Sequence, residues 1–304
     1  MQINSGNITN LGKSFKAISQ ERYAMESKDV MWGVIAMPVT SNTSQQDYGW
    51  LNDIPGMREW IGERVVRNLS DSGYTIRNKD FELTVGVDRN NIEDDNIGLY
   101  RPMFEQLGVA VAHSPDELVF DLLTRAFQEK CYDGKPFFAD NHRVGSKNVS
   151  NFSNKKLTAT ELETALAKMR SLTNDEGKTL RLFRSKPKLL VGPLLEATAR
   201  RIVGLATLPT GGDNPNYGAA EIVMIPDLIG DAANFWMLID TSQAIKPLIL
   251  QRRKEPEFVR KDDARDDNVF NQKQFIYGYD DRKNAGFGFW QLAFGSTGEQ
   301  PGAA

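Results

Sequence analysis

Residues 79–100 read KDFELTVGVDRNNIEDDNIGLY, and the alternation at their start decides the class of fold. Phe81, Leu83, Val85 and Val87 alternate with Glu82, Thr84, Gly86 and Asp88, a period of two that makes a strand with one apolar face. Just upstream, Tyr74 and Ile76 alternate with Thr75 and Arg77, and turn residues at Ser70–Gly73 and Asn78–Asp80 punctuate the run. From Arg64 to Asp88 the pattern predicts an antiparallel ribbon. Two or three strands are marginal in water unless something covers the apolar face, so another subunit is an expected cover.

C-terminal to the ribbon the period changes. Tyr100, Met103, Phe104, Leu107 and Val111 form a helical stripe, and Pro102 is tolerated because first-turn amides lack intrahelical partners. Ser114, Pro115, Asp116 and Glu117 then spell a capping box that restarts the apolar face at Leu118, Leu122, Ala126 and Phe127. One long helix with a kink is expected, stopped by Asp133 and Gly134. After the polar linker Asn148–Lys156, Thr158 and Glu161 form a second capping box ahead of Leu162, Ala165, Leu166 and Met169. Leu189–Val191 reads as a strand running into a helix through Gly192 and Pro193, followed by a flexible run from Thr207 to Gly218. Apolar runs at Glu221–Ile225, Asn234–Ile239 and Pro247–Leu250 precede a mixed-charge stretch from Arg252 to Asp267, and strands are expected around Gln274–Tyr279 and Gly286–Phe294. The class is α+β with mixed sheets.

N-terminal to the ribbon, Met1 to about Gln46 is polar and irregular, an arm expected to borrow order from partners. Trp50, Leu51, Ile54, Trp60 and Ile61 cluster around Pro55 and Gly56, an aromatic patch expected to cap a core, with the grip of a neighbour as the alternative. Residues 295–304 are small and polar, a flexible tail.

The chain has 304 residues, 40% hydrophobic and 25% charged, ordinary globular usage. A net charge of −3 gives no global positive field to hold a phosphate backbone by counterion release. Cys131 is the only cysteine, which excludes an internal disulfide. No leader pattern opens the chain and no stretch reaches the roughly 18 apolar residues of a membrane span, so it is expected to stay where it is made.

Catalytic chemistry finds little support. The two histidines, His113 and His142, lie far from any serine elbow or paired metal-ligand pattern. Cys131, Asp133, Asp140 and His142 are close in sequence, yet their spacing fits no zinc or calcium motif and reads as a turn with satisfied polar groups. Gly177, Lys178 and Thr179 resemble the end of a phosphate loop, but Leu172 stands where its first glycine should be, which leaves a helix C-terminal turn. Glu93, Asp94 and Asp95, and Asp262, Asp263, Asp266 and Asp267 beside Arg260, Lys261 and Arg265, read as ion-pair clusters at interfaces rather than cation sites. No catalytic, cofactor-binding or metal residue is assigned. The uncovered ribbon, the polar arm and the mobile loop each seek a partner, and assembly accounts for all three.

Four segments carry a resemblance: the ribbon at 79–100, CYDGKPFFADNH at 131–142, LLVGPLLEATARRI at 189–202 and QFIYGYDDRKNAGFGFWQLAFGS at 274–296. In this order and spacing they resemble the Mu-like prophage major head subunit family, gpT, from about Asp47 to Ser296. The resemblance implies the Hong Kong ninety-seven type capsid fold: an N-terminal arm at 1–46, an extended β-hairpin loop at 47–95, a discontinuous peripheral domain at 96–156 and 246–294, an axial domain at 157–245 and a tail at 295–304. The spine helix of the peripheral domain would run from about Ile97 to Gln128. The implied function is a major capsid protein that closes into hexamers and pentamers of an icosahedral shell around double-stranded DNA, without catalysis or a cofactor. The implied partners are copies of itself, a separate scaffold and protease, a portal protein and a decoration or minor capsid protein, with no membrane. Assembly would take place in the host cytoplasm and end in the virion. The alternatives are an encapsulin-like compartment and a soluble enzyme with the Thr207–Gly218 loop as a lid.

Overall fold

The computed structural model describes residues 5–49, 51, 73–94, 96–263 and 265–298. In chain order the elements are α1 (Ser5–Glu26), α2 (Trp32–Ile35), β1 (Ala36–Thr40), β2 (Gln45–Asp47), β3 (Thr75–Arg77), β4 (Lys79–Asp88), α3 (Arg89–Glu93), α4 (Arg101–Thr124), β5 (His142–Val144), β6 (Lys147–Val149), β7 (Phe152–Ser153), α5 (Ala159–Arg170), β8 (Lys188–Val191), α6 (Pro193–Ala199), β9 (Glu221–Met224), β10 (Trp236–Ile239), β11 (Leu248–Lys261), α7 (Asp267–Gln272), β12 (Gln274–Phe287) and β13 (Ala293–Ser296). Two sheets organise them. The first has the order β1-β11-β12-β4, with β1 parallel to β11 and the other pairs antiparallel; the second has the order β7-β13-β10-β8-β9.

The second sheet is buried on both sides, which is why its central strands read as unbroken apolar runs. Leu190, Met237 and Ile239 face one core, shared with Val119, Phe120 and Leu123 of α4, whereas Leu189, Val191, Trp236 and Leu238 face another, shared with Leu162, Leu166 and Met169 of α5. Half of the capping box ahead of α5 forms as read: the Glu161 N–H donates to Thr158 Oγ1 at 3.2 Å, while the Glu161 carboxylate takes Lys155 Nζ at 2.8 Å instead of closing the box.

A third core joins α1, α4 and the first sheet, and it corrects the N-terminal reading. Residues 5–26 are a helix packed on their own chain rather than an irregular arm. Ile8, Leu11 and Phe15 are buried at helical spacing, and Phe15 stacks on Phe104 with ring centroids 4.0 Å apart. Gly108 permits the approach of the two helices, since a Cβ there would lie 2.4 Å from the Ser19 carbonyl oxygen. The sequence hid this helix because poor helix formers, among them Gly6, Asn7, Asn10 and Gly12, crowd its first half and its apolar stripe is thin.

The capping box at Ser114 is also corrected. α4 is the one long helix expected, running from Arg101 to Thr124 with Pro115 inside it, but it ends well before Asp133 and Ser114 caps nothing among the described residues. The Asp116 carboxylate instead caps α2, accepting from Trp32 N–H at 2.6 Å and Met31 N–H at 3.0 Å. The expected ribbon divides in two. β3 pairs with β2, and β4 pairs along its whole length with β12 inside the first sheet. Residues 64–72 of the expected ribbon, and most of the aromatic cluster around Pro55, lie outside the described residues.

At the C-terminal end, β12 is one strand of 14 residues, and the mixed-charge stretch is largely β11, whose solvent face alternates charges instead of apolar residues. β13 joins the second sheet, between β10 and β7, rather than returning to the first. Gly295 and Ser296, assigned above to the tail, belong to that strand, and the Gly295 N–H donates to the Asn151 carbonyl at 2.9 Å.

Candidate assembly interface

The residues singled out for chemistry are drawn together only in part. Cys131, Asp133 and His142 converge, their ligating atoms all within 4.8 Å of one another, and Asp140 is not in the group. His142 Nδ1 lies 2.6 Å from Asp133 Oδ2, and its Nε2 is 3.3 Å from the Phe137 carbonyl oxygen. Its ring, fully buried, stacks on Trp290 at 4.1 Å. The Cys131 thiol donates to Asp133 Oδ1 at 3.2 Å, and Lys135 N–H donates to the same oxygen at 3.0 Å. Burial works to raise the Asp133 carboxyl, but the hydrogen bonds from His142 and Lys135 prevail and hold it below its ordinary value; burial pushes the Cys131 thiol well up. A protonated thiol is a poor metal ligand. Both ring nitrogens face protein acceptors, so the group ties the 131–142 turn to Trp290.

His113 bridges two helices, Nε2 lying 3.1 Å from Glu26 Oε2 on α1 and Nδ1 3.3 Å from Asp116 Oδ2 on α4. The hydrogen bond to Glu26 raises its pKa, against an opposing effect of burial. Gly177 and Lys178 sit in a hairpin turn past the end of α5, with the Asn174 side chain accepting from Glu176 N–H and Lys178 N–H; this replaces the helix C-terminal turn expected there. The Thr207–Gly218 run is pinned rather than free. Asn214 Nδ2 donates to the carbonyls of Ile202 and Leu205, both at 2.8 Å, and Asn216 Nδ2 donates to Glu163 at 2.6 Å. Around Asp262 the charges pair within the chain: Arg260 with Asp262 at 3.4 Å, Lys261 with Asp267, and Arg265 with Asp263 at 3.6 Å.

The surface offers unfinished edges. Among the described residues β4 ends the first sheet and β9 ends the second, each with one row of backbone groups outside any ladder. Between β4, β12 and α4 runs a groove of about 300 Å³, lined by Phe81, Leu83, Ala110, Val111, Ser114 and Tyr279 together with the charged Glu82, Glu117, Asp280, Asp281 and Lys283. Leu83 is 39% exposed, and Phe81 is half-buried with Lys283 Nζ 4.9 Å from its ring centre. Beside β9, Leu194 and Tyr217 are exposed, and Phe270 on α7 is 86% exposed at the far end of the β11–β12 pair. Sequence patterns pointed to β4; Phe270 gave no signal, since a single aromatic in a charged stretch has no periodicity.

The model of the Mu-like prophage major head subunit gpT family matches residues 8–156, 147–228 and 226–301. The chain belongs to this family. It is 31% identical over 275 residues to the major capsid protein of Escherichia phage Mu, covering 90% of this chain and 69% of that protein. It is 34% identical over 265 residues to the FluMu major head subunit of Haemophilus influenzae, covering 87% and 65% respectively. Among solved structures it is similar to the procapsid of bacteriophage JBD30, with a TM-score of 0.62 and 32% identity over 98% of this chain and 77% of that one. It also matches a JBD30 capsid decorated with minor capsid protein trimers, with a TM-score of 0.56 and 27% identity over 66% of this chain and 91% of that one. Like these relatives, the chain is a major capsid protein of a tailed phage, a structural component of the virion and not an enzyme. The α+β capsid fold of this family is the one that the resemblance implied. No helix among the described residues is long and apolar enough to cross a membrane.

Proposed function

We propose that copies of this chain close head-to-tail into hexamers and pentamers of an icosahedral shell that encloses double-stranded DNA. Heterologous contacts of this kind make closed rings when the rotation permits. The observation that carries the reading is the groove beside β4, where half-buried Phe81 and exposed Leu83 stand among charged residues at a sheet edge that no described strand covers. Its occupant is a segment of a neighbouring copy of this chain. On this reading the first sheet with α4 is the peripheral domain and the second sheet with α5 is the axial domain. The C-terminal strands β12 and β13 belong to the first and the second sheet respectively, so their loss disrupts both.

A separate scaffold and protease, a portal protein and a minor capsid protein complete the set of partners. Support for the last comes from the decorated JBD30 shell. Packaged DNA distinguishes this reading from a cargo compartment. The test is the double variant Phe81→Asp/Leu83→Asp, expected to give folded subunits that no longer form shells. Shells of normal size from that variant would remove the groove from the account.

A further inference from the structure

An acidic chain here carries a cationic surface built from two segments of the second-sheet half. The β5–β6 turn meets the Asn174–Lys178 turn, with the Gly145 N–H donating to Asp175 Oδ1 at 2.8 Å. Arg143 and Lys147 flank the first turn, and Lys178, Arg181, Arg184 and Lys186 follow the second; all six are exposed. From residue 178 to 188 the sequence KTLRLFRSKPK holds no acidic residue.

The backbone of this segment is strained. Arg181 (φ 52°) and Phe183 (φ 60°) adopt left-handed conformations that side-chain-bearing residues avoid. Buried Asp240 holds the segment by accepting from the Phe183 N–H at 3.0 Å, and Ser242 Oγ accepts from the Arg184 N–H at 3.2 Å. Gln243 binds both neighbours, its Oε1 accepting from Arg184 at 3.2 Å and its Nε2 donating to the Arg181 carbonyl at 3.5 Å.

A merely solvated face intersperses its cations with acids, as the tip of β11 does with Arg260–Asp262, Lys261–Asp267 and Arg265–Asp263. Here Lys178 has Glu176 at 3.1 Å, but among the described residues no carboxylate pairs with Arg181, Arg184 or Lys186. Arginines fixed by a strained, anchored backbone and left without carboxylates match a phosphate-bearing polyanion, because the guanidinium fork binds phosphate oxygens in pairs.

We infer that the Arg143, Lys147, Lys178, Arg181, Arg184 and Lys186 surface faces the interior of the shell and contacts the backbone of enclosed double-stranded DNA without reading its sequence. This rests on the shell reading above. Each copy contributes a weak site, and the array of copies supplies the avidity.

The test uses the triple variant Arg181→Gln/Arg184→Gln/Lys186→Gln. Unassembled subunits are titrated with a short fluorescent DNA duplex between about 50 and 200 mM salt. Wild type is expected to bind with an affinity that falls steeply with salt, and the variant with a log–log slope smaller by about 0.9 for each phosphate it no longer neutralises. In particles, variant shells of normal size should release their DNA at a lower temperature. An unchanged slope, or no duplex binding by wild type at the lowest salt, overturns the inference. So does a folded variant that binds duplex like wild type but forms no shells, which would make the patch a contact between copies. DNA-free wild-type particles would instead contradict the shell reading itself.

Discussion

Replacing Lys283 by methionine removes one half of an ion pair enclosed between β12 and α4. The Lys283 and Asp281 side chains are 4% and 6% exposed, and Lys283 Nζ donates to Asp281 Oδ2. Burial holds the Lys283 ammonium below its ordinary pKa although Asp281 opposes it, and Asp281 Oδ1 has no partner among the described residues. Methionine keeps the apolar stem but strands the carboxylate. Breaking a buried pair from one side costs about 3–5 kcal/mol, whereas replacing both charges by apolar groups is about neutral or stabilising by about 1–4 kcal/mol. Urea unfolding of unassembled subunits reads the difference. With a slope of about 3 kcal/mol/M, Lys283→Met should lower the midpoint by about 1–2 M, and Asp281→Leu/Lys283→Met should recover most of it. A loss below about 1 kcal/mol, or a double variant as unstable as the single one, would refute the assignment of this pair as dry and mutually dependent.

Phe15→Ala should destabilise the subunit by about 3–5 kcal/mol, because the ring is buried against Phe104 and Tyr277; a change within experimental error in unassembled subunits would mean that α1 does not pack on its own chain. His113 predicts a pH dependence. Its folded pKa is raised above the ordinary 6.5, mainly by Glu26, so its contribution is fully present below 6.5 and is lost as pH rises through the raised value. The thermal midpoint of wild type should fall over that window relative to His113→Gln, and parallel pH profiles would show that the bridge carries no stability.

Legibility in the sequence followed how local each signal is. α5 was readable because Thr158 caps its first turn by accepting from the Glu161 N–H, and α4 because its stripe is dense. The same kind of motif misled at Ser114, where Asp116 spends its carboxylate on α2, a segment far away in sequence. The charged half of β11 escaped notice because its alternation is of Arg, Glu and Lys, whose pairing across to β12 no window along one strand contains. The place of β13 beside β10 is likewise set by long-range register. Of the assembly surface, the apolar alternation of β4 announced a strand in need of cover, but not that β12 already holds one of its edges. The meeting of Arg143 and Lys147 with the Lys178–Lys186 run depends on two turns touching, which only the folded chain reveals.

The most direct test of the capsid account is electron microscopy of particles formed when this chain is expressed together with its neighbouring head genes, scored for closed shells and for nucleic acid inside. Closed icosahedral shells that contain DNA are the expected result. A well-behaved monomer that forms no assemblies under those conditions would contradict it.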